Sequence, residues 1–114
     1  MASSGDKAFY ADSDFYVTHK GYLFSQSGQI AGWNITSNKI YKDYTGMSSS
    51  GLVVKDLDGS TNTDSVAFYA GEKNKKDNFY VTHKGYLYSK SGTIGGWNIS
   101  KHKLENNNVG MNAD

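Results

Sequence analysis

The chain has no cysteine, no long apolar run and almost no net charge, and each absence removes a class of function. Without cysteine there is no disulfide framework, no thiolate zinc site and no thiol nucleophile. An extracellular setting would need something other than disulfides to hold the fold together. No apolar stretch approaches the roughly 20 residues that span a bilayer, and Met1-Ala2-Ser3-Ser4-Gly5 lacks the apolar core of a signal peptide. Twelve Lys and Arg against eleven Asp and Glu leave a formal charge of +1, dispersed except in the short run Glu72-Lys73-Asn74-Lys75-Lys76-Asp77. That pattern offers no basic stripe for nucleic acid. Catalytic signatures are missing as well: there is no Gly-x-Ser-x-Gly, no phosphate-cradling loop and no carboxylate pair kept in both halves of the chain. The expectation is a protein that is not an enzyme, uses no cofactor, and partners neither nucleic acid nor membrane.

What is present is a repeat. Phe15-Tyr16-Val17-Thr18-His19-Lys20-Gly21-Tyr22-Leu23 returns 64 residues later as Phe79-Tyr80-Val81-Thr82-His83-Lys84-Gly85-Tyr86-Leu87. The segment from Ser27 to Ile35 returns at the same spacing from Ser91 to Ile99. Between Phe15–Ile40 and Phe79–Leu104, 18 of 26 positions are identical. Ala8-Phe9-Tyr10-Ala11 also returns, as Ala67-Phe68-Tyr69-Ala70, but only 59 residues on, because the second copy carries five extra residues between Gly71 and Asn78. This insertion is expected to be an exposed loop. The chain divides into a polar leader at 1–7, a first repeat at 8–66 and a second at 67–114 that ends inside a unit, as in a section cut from a longer array. About three stacked units are usually needed for a stable array. With fewer than two, identical chains are expected to supply the missing core across a symmetric interface.

Thirteen glycines, nine tyrosines and a 14% aromatic content favour strands and turns, so the fold class is all-β. Phe15, Val17 and His19 alternate with Tyr16 and Thr18, the period of an extended strand. Lys20-Gly21 breaks this strand before Tyr22-Leu23-Phe24 resumes it, which predicts a hairpin there and again at Lys84-Gly85. Ser27-Gly28 and Ser91-Gly92 turn into strands that carry Trp33 with Ile35 and Trp97 with Ile99 on one face. Leu52 to Lys55 and Ser65 to Tyr69 flank Asp58-Gly59 and read as a further hairpin with a long turn. The expected core is Phe15, Val17, Leu23, Ile30, Trp33 and Ile35 in the first copy, and Phe79, Val81, Leu87, Ile94, Trp97 and Ile99 in the second.

Three polar motifs have bland explanations. His19 and His83 occupy equivalent positions, but no second ligand lies at useful spacing, so no metal is assigned. Asp56-Leu57-Asp58-Gly59-Ser60-Thr61-Asn62-Thr63-Asp64 faintly resembles a calcium loop but lacks the closing glutamate, and reads as a turn. Asn34-Ile35-Thr36 and Asn98-Ile99-Ser100 match the glycosylation pattern as one motif copied, which carries no weight.

Phe-Tyr-Ala, then Phe-x-Val-x-x-x-Gly-x-Leu, then Ser-Gly-x-Ile-x-Gly-Trp-x-Ile resembles the module that recurs in tail-tip and tail-fibre proteins of phages and prophages of Gram-positive bacteria. The resemblance covers Phe9 to Met111. It implies a β-hairpin array forming an elongated, trimeric, β-helical or β-prism-like segment of a virion tail. It also implies structural and host-recognition roles, with multivalent contacts to a bacterial cell-surface polysaccharide. One departure is that Phe68-Tyr69-Ala70-Gly71 becomes Phe9-Tyr10-Ala11-Asp12 in the first copy, where the following segment is shortened. Candidate ligand contacts are the rings of Tyr22, Tyr86 and Tyr88, which could stack on sugars, and Lys73, Lys75 and Lys76 of the insertion. The rival readings are a monomeric carbohydrate-binding module or bacterial surface adhesin, with an exposed tryptophan face, and a fragment of a polysaccharide depolymerase.

Overall fold

The alternation of apolar and polar residues, broken every few positions by glycine or a polar pair, yields many short antiparallel strands. The structure is a computed structural model and describes residues 6–107 and 109–112. The first copy supplies β1 (Lys7–Ala11), β2 (Phe15–Thr18), β3 (Leu23–Ser25), β4 (Gly28–Ile30), β5 (Trp33–Ile35), β6 (Lys39–Lys42) and β7 (Thr45–Ser48). A short helix, α1 (Val54–Asp58), follows. The second copy repeats the series as β8 (Val66–Glu72), β9 (Lys75–Thr82), β10 (Leu87–Ser89), β11 (Gly92–Ile94), β12 (Trp97–Ser100), β13 (Lys103–Asn106) and β14 (Val109–Asn112). The all-β class holds. Of the expected leader, Lys7 already belongs to β1, and residues 1–5 lie outside the described residues.

The turn at Lys20-Gly21 shows how closely the copies agree. Gly21 and Gly85 have φ of +87° and +91°, a conformation that costs glycine nothing. Thr18 and Thr82 each close the turn twice: the hydroxyl accepts from the backbone N–H of Tyr22 or Tyr86 at 3.1 Å, and the carbonyl accepts from the glycine N–H at 3.0 Å.

The strands form three sheets, ordered β1-β2-β3, β10-β9-β8-β7-β6-β5-β4 and β11-β12-β13-β14. The seven-stranded sheet is out of phase with the sequence repeat. It joins the last four strands of the first copy to the first three of the second, with Thr45 opposite Ala70, Gly46 opposite Tyr69 and Met47 opposite Phe68. On one face the register aligns Ile35, Ile40, Met47, Phe68, Val81 and Leu87 in a single cross-strand row. On the other it aligns Tyr41, Gly46, Tyr69, Tyr80 and Tyr88.

α1 covers the tyrosine face. Leu52, Val54, Leu57 and Val66 close over Tyr69 and Tyr80, with Tyr41 and Tyr88 packed alongside, and these make the buried core. Residues 52–69 are therefore not the expected hairpin around Asp58-Gly59. The Asp56 carboxylate accepts the backbone N–H of Val53 at 3.0 Å, Val54 and Leu57 fall on one side of a turn, and Gly59 ends the helix at φ +74°. Only the Val53–Ser65 bridge retains strand pairing there.

The expected core also needs correcting within one chain. None of the twelve residues is fully buried. Leu23, Ile30, Trp33, Phe79, Leu87 and Ile94 are exposed, while Phe15, Val17, Ile35, Val81, Trp97 and Ile99 are half-buried. Period-two alternation finds an apolar face but not which face a single helix will cover, and here the helix sits on the aromatic one. The insertion is likewise no loose loop. Glu72 pairs with Lys75, so the extra residues lengthen β8 and β9 into a ribbon turned by Lys73 and Asn74.

Candidate functional site

The face opposite α1 carries an apolar depression. Ile40, Met47 and Phe68, from three adjacent strands, are all exposed, and with Ile35 and Ala67 they line a depression of about 520 Å³. None of these exposed three was among the expected core residues. The recurrence of Phe9 as Phe68 and of Met47 as Met111 was the available signal. The depression is rimmed by Asn38, Ser48, Ser49 and His83, which gives an apolar floor a polar border.

His83 is fixed structurally. Its Nε2 lies 2.9 Å from the Ser48 carbonyl oxygen, which can only accept, so this nitrogen carries the hydrogen and offers no lone pair to a metal. The bond ties β9 to the end of β7. No cluster of three or more His, Cys, Asp or Glu suited to a metal occurs among the described residues.

The tyrosine candidates separate into two environments. Tyr22 and Tyr86 are exposed at the turns. Tyr88 is half-buried and stacks on Tyr80, with ring centroids 5.1 Å apart and planes 15° apart, as Phe24 stacks on Tyr16. Tyr88 is thus part of the core's border. The lysine candidates do not converge: Lys75 pairs with Glu72 at 4.0 Å, and the Lys76 ammonium lies 5.8 Å from the Tyr44 ring centre, while Lys73 occupies the turn.

The acidic turn is internally satisfied. The Asp58 carboxylate accepts from the Ser60 backbone N–H at 2.9 Å and Asn62 Oδ1 from the Asp64 N–H at 2.8 Å, while Asp64 pairs with Lys84 at 3.3 Å. The hydrogen bonds from the Ser60 side chain and backbone hold the Asp58 carboxyl below its ordinary value. The Asp58 and Asn62 oxygens thus face backbone donors, as in Asx turns, and Asp64 faces a lysine.

Comparison with protein-family models, curated proteins and solved structures found no match for this chain. No helix among the described residues is long and apolar enough to cross a membrane.

Proposed function

We propose that this chain is a non-catalytic structural and host-recognition segment of a phage tail fibre or tail-tip protein, and that it works as a homotrimer. The observation that carries the reading is the bare apolar row from Ile35 to Leu87, six strands wide and uncovered by any layer among the described residues. A face this apolar is costly in water and calls for a partner. Because the row is built from residues present in both sequence copies, the occupant that matches it throughout is the same row on neighbouring chains. The chain's extents of 71 × 32 × 26 Å suit an elongated β-hairpin segment, and the sequence resemblance supplies the phage setting.

Three chains packed by this row would turn their outer surfaces, with Tyr22 and Tyr86 exposed at the turns, toward solvent. Weak contacts of such rings with a bacterial surface polysaccharide would then be presented in threes, raising avidity without a deep pocket. The deciding experiment is absolute mass by light scattering behind a sizing column. Three copies of the 12.5 kDa chain support the reading, and a folded monomer at all concentrations would overturn it.

A further inference from the structure

The central sheet is closed at one junction, β7 against β8, where the last strand of one sequence copy meets the first strand of the next. Among the described residues, the same two strand types stand at the outer edges of the flanking sheets. β14 answers β7 and ends its sheet beyond β13; β1 answers β8 and ends its sheet beyond β2. A sheet edge presents a row of backbone donors and acceptors to any strand of matching register.

The residues needed for that register are present. Gly110 and Met111 answer Gly46 and Met47, and Phe9, Tyr10 and Ala11 answer Phe68, Tyr69 and Ala70. We propose that β14 of one copy pairs antiparallel with β1 of the next, setting Val109 opposite Ala11, Gly110 opposite Tyr10 and Met111 opposite Phe9. The four-stranded sheet of one chain and the three-stranded sheet of another then become one seven-stranded sheet with the register of the central one. The row Ile99, Leu104, Met111 continues into Phe9, Val17, Leu23, the same sequence of side-chain types that runs from Ile35 to Leu87.

Exposure supports the match. Tyr69 is 8% exposed in the closed junction, whereas its counterpart Tyr10 is 64% exposed at the open edge. The space above Gly46 is occupied by the Tyr69 hydroxyl; above Gly110 the nearest neighbours are only its own sheet's Glu105 and Leu104, leaving the place of a tyrosine open. The junction between copies lacks α1 and the covalent link through residues 49–65, so it is weaker than the internal one and depends on concentration. Two different edges meet, so the contact is heterologous and continues head to tail unless the rotation between copies closes it into a ring. It is independent of the lateral contact proposed above, because it uses strand edges rather than the apolar face.

Single variants Phe9→Cys and Met111→Cys test the register, since the chain has no other thiol and residues directly opposite across antiparallel strands approach disulfide distance. Both side chains are exposed, so the variants should fold, and circular dichroism checks this. With one variant isotope-labelled, mild oxidation of the mixture should give a mixed covalent dimer that is lost in each variant alone. The double variant should give an open ladder of dimers, trimers and longer species. Tyr10→Cys with Met111→Cys, which point to opposite faces, should not cross-link. Each variant linking only to itself, a double variant that stops at closed dimers, or no mixed dimer at any concentration would overturn the proposal. The mass of the unaltered chain under reducing conditions is read separately, so loss of the lateral trimer and loss of this junction are told apart.

Discussion

Gly46 lies directly opposite Tyr69, and the phenol oxygen stands 2.9 Å from where a methyl on Gly46 would project. The same methyl would come within 2.7 Å of the Tyr41 Cβ and the Ile40 carbonyl oxygen. Glycine is required here by crowding and not by backbone conformation, because its φ is not positive. Gly46→Ala should therefore destabilise the chain by about 1–3 kcal/mol, the usual cost of overpacking, read as a lower urea midpoint with unchanged slope. Gly110→Ala, whose closest contacts are 3.0 Å, should cost less. Equal losses would mean that Tyr69 is not what excludes a side chain at Gly46.

Leucines on the two faces of the central sheet should respond differently to the same substitution. Leu57 lies in the buried cluster under α1, and Leu57→Ala should cost about 2–5 kcal/mol at any protein concentration. Leu87 ends the bare row and is 49% exposed, so Leu87→Ala should change the stability of a lone chain by less than about 0.5 kcal/mol. If chains pack through that row, its cost should grow with protein concentration. Denaturation at two concentrations separates the cases, and a concentration-independent Leu87 penalty would place that side chain in a core the single chain already has.

Much of this was legible in the residues, for reasons that Val17 and Leu57 make plain. Val17 sits in a doubled, alternating segment between a polar turn and a glycine turn, so strand, turn and apolar face could all be read from spacing. Leu57 sits in a segment that occurs once, five residues of helix whose existence depends on a cap from Asp56 and on tyrosines far along the chain to pack against. Local pattern does not encode that encounter, so the hairpin expected around Asp58-Gly59 became a helix and the core moved to the other face. The inserted lysines misled for a related reason: a charged, polar run reads as a loop, yet backbone pairing across Lys73-Asn74 holds it as strand.

Alkaline pH should weaken the core before it disturbs the open face. Burial holds the Tyr69 and Tyr80 phenols above the ordinary value of 10.0, with smaller contributions from neighbouring Tyr41 and Tyr86 respectively. A group whose pKa is raised by folding contributes its full stability below the unfolded value, and that stability is lost as pH rises through the folded one. Melting temperature should thus fall once pH passes about 10, and Tyr80→Phe should flatten the decline. An equally steep decline in Tyr69→Phe and Tyr80→Phe variants would assign the alkaline loss to other groups.

Trp33 gives an optical test of what covers the bare face. It shares a strand side with Ile35, it is 39% exposed, and its counterpart Trp97 is half-buried in the last sheet. A lone chain leaves the Trp33 indole partly in water, so its emission should be red-shifted, whereas lateral packing of three chains through the apolar row would dry the ring and shift emission to the blue. The shift should follow concentration in step with the mass from light scattering, and Leu87→Ala should move both transitions to higher concentration together. Trp33→Phe should remove most of the spectral change while leaving the mass transition in place. Association without any change at Trp33 would mean that the chains meet elsewhere, and the open edges β1 and β14 would then be the surfaces to test.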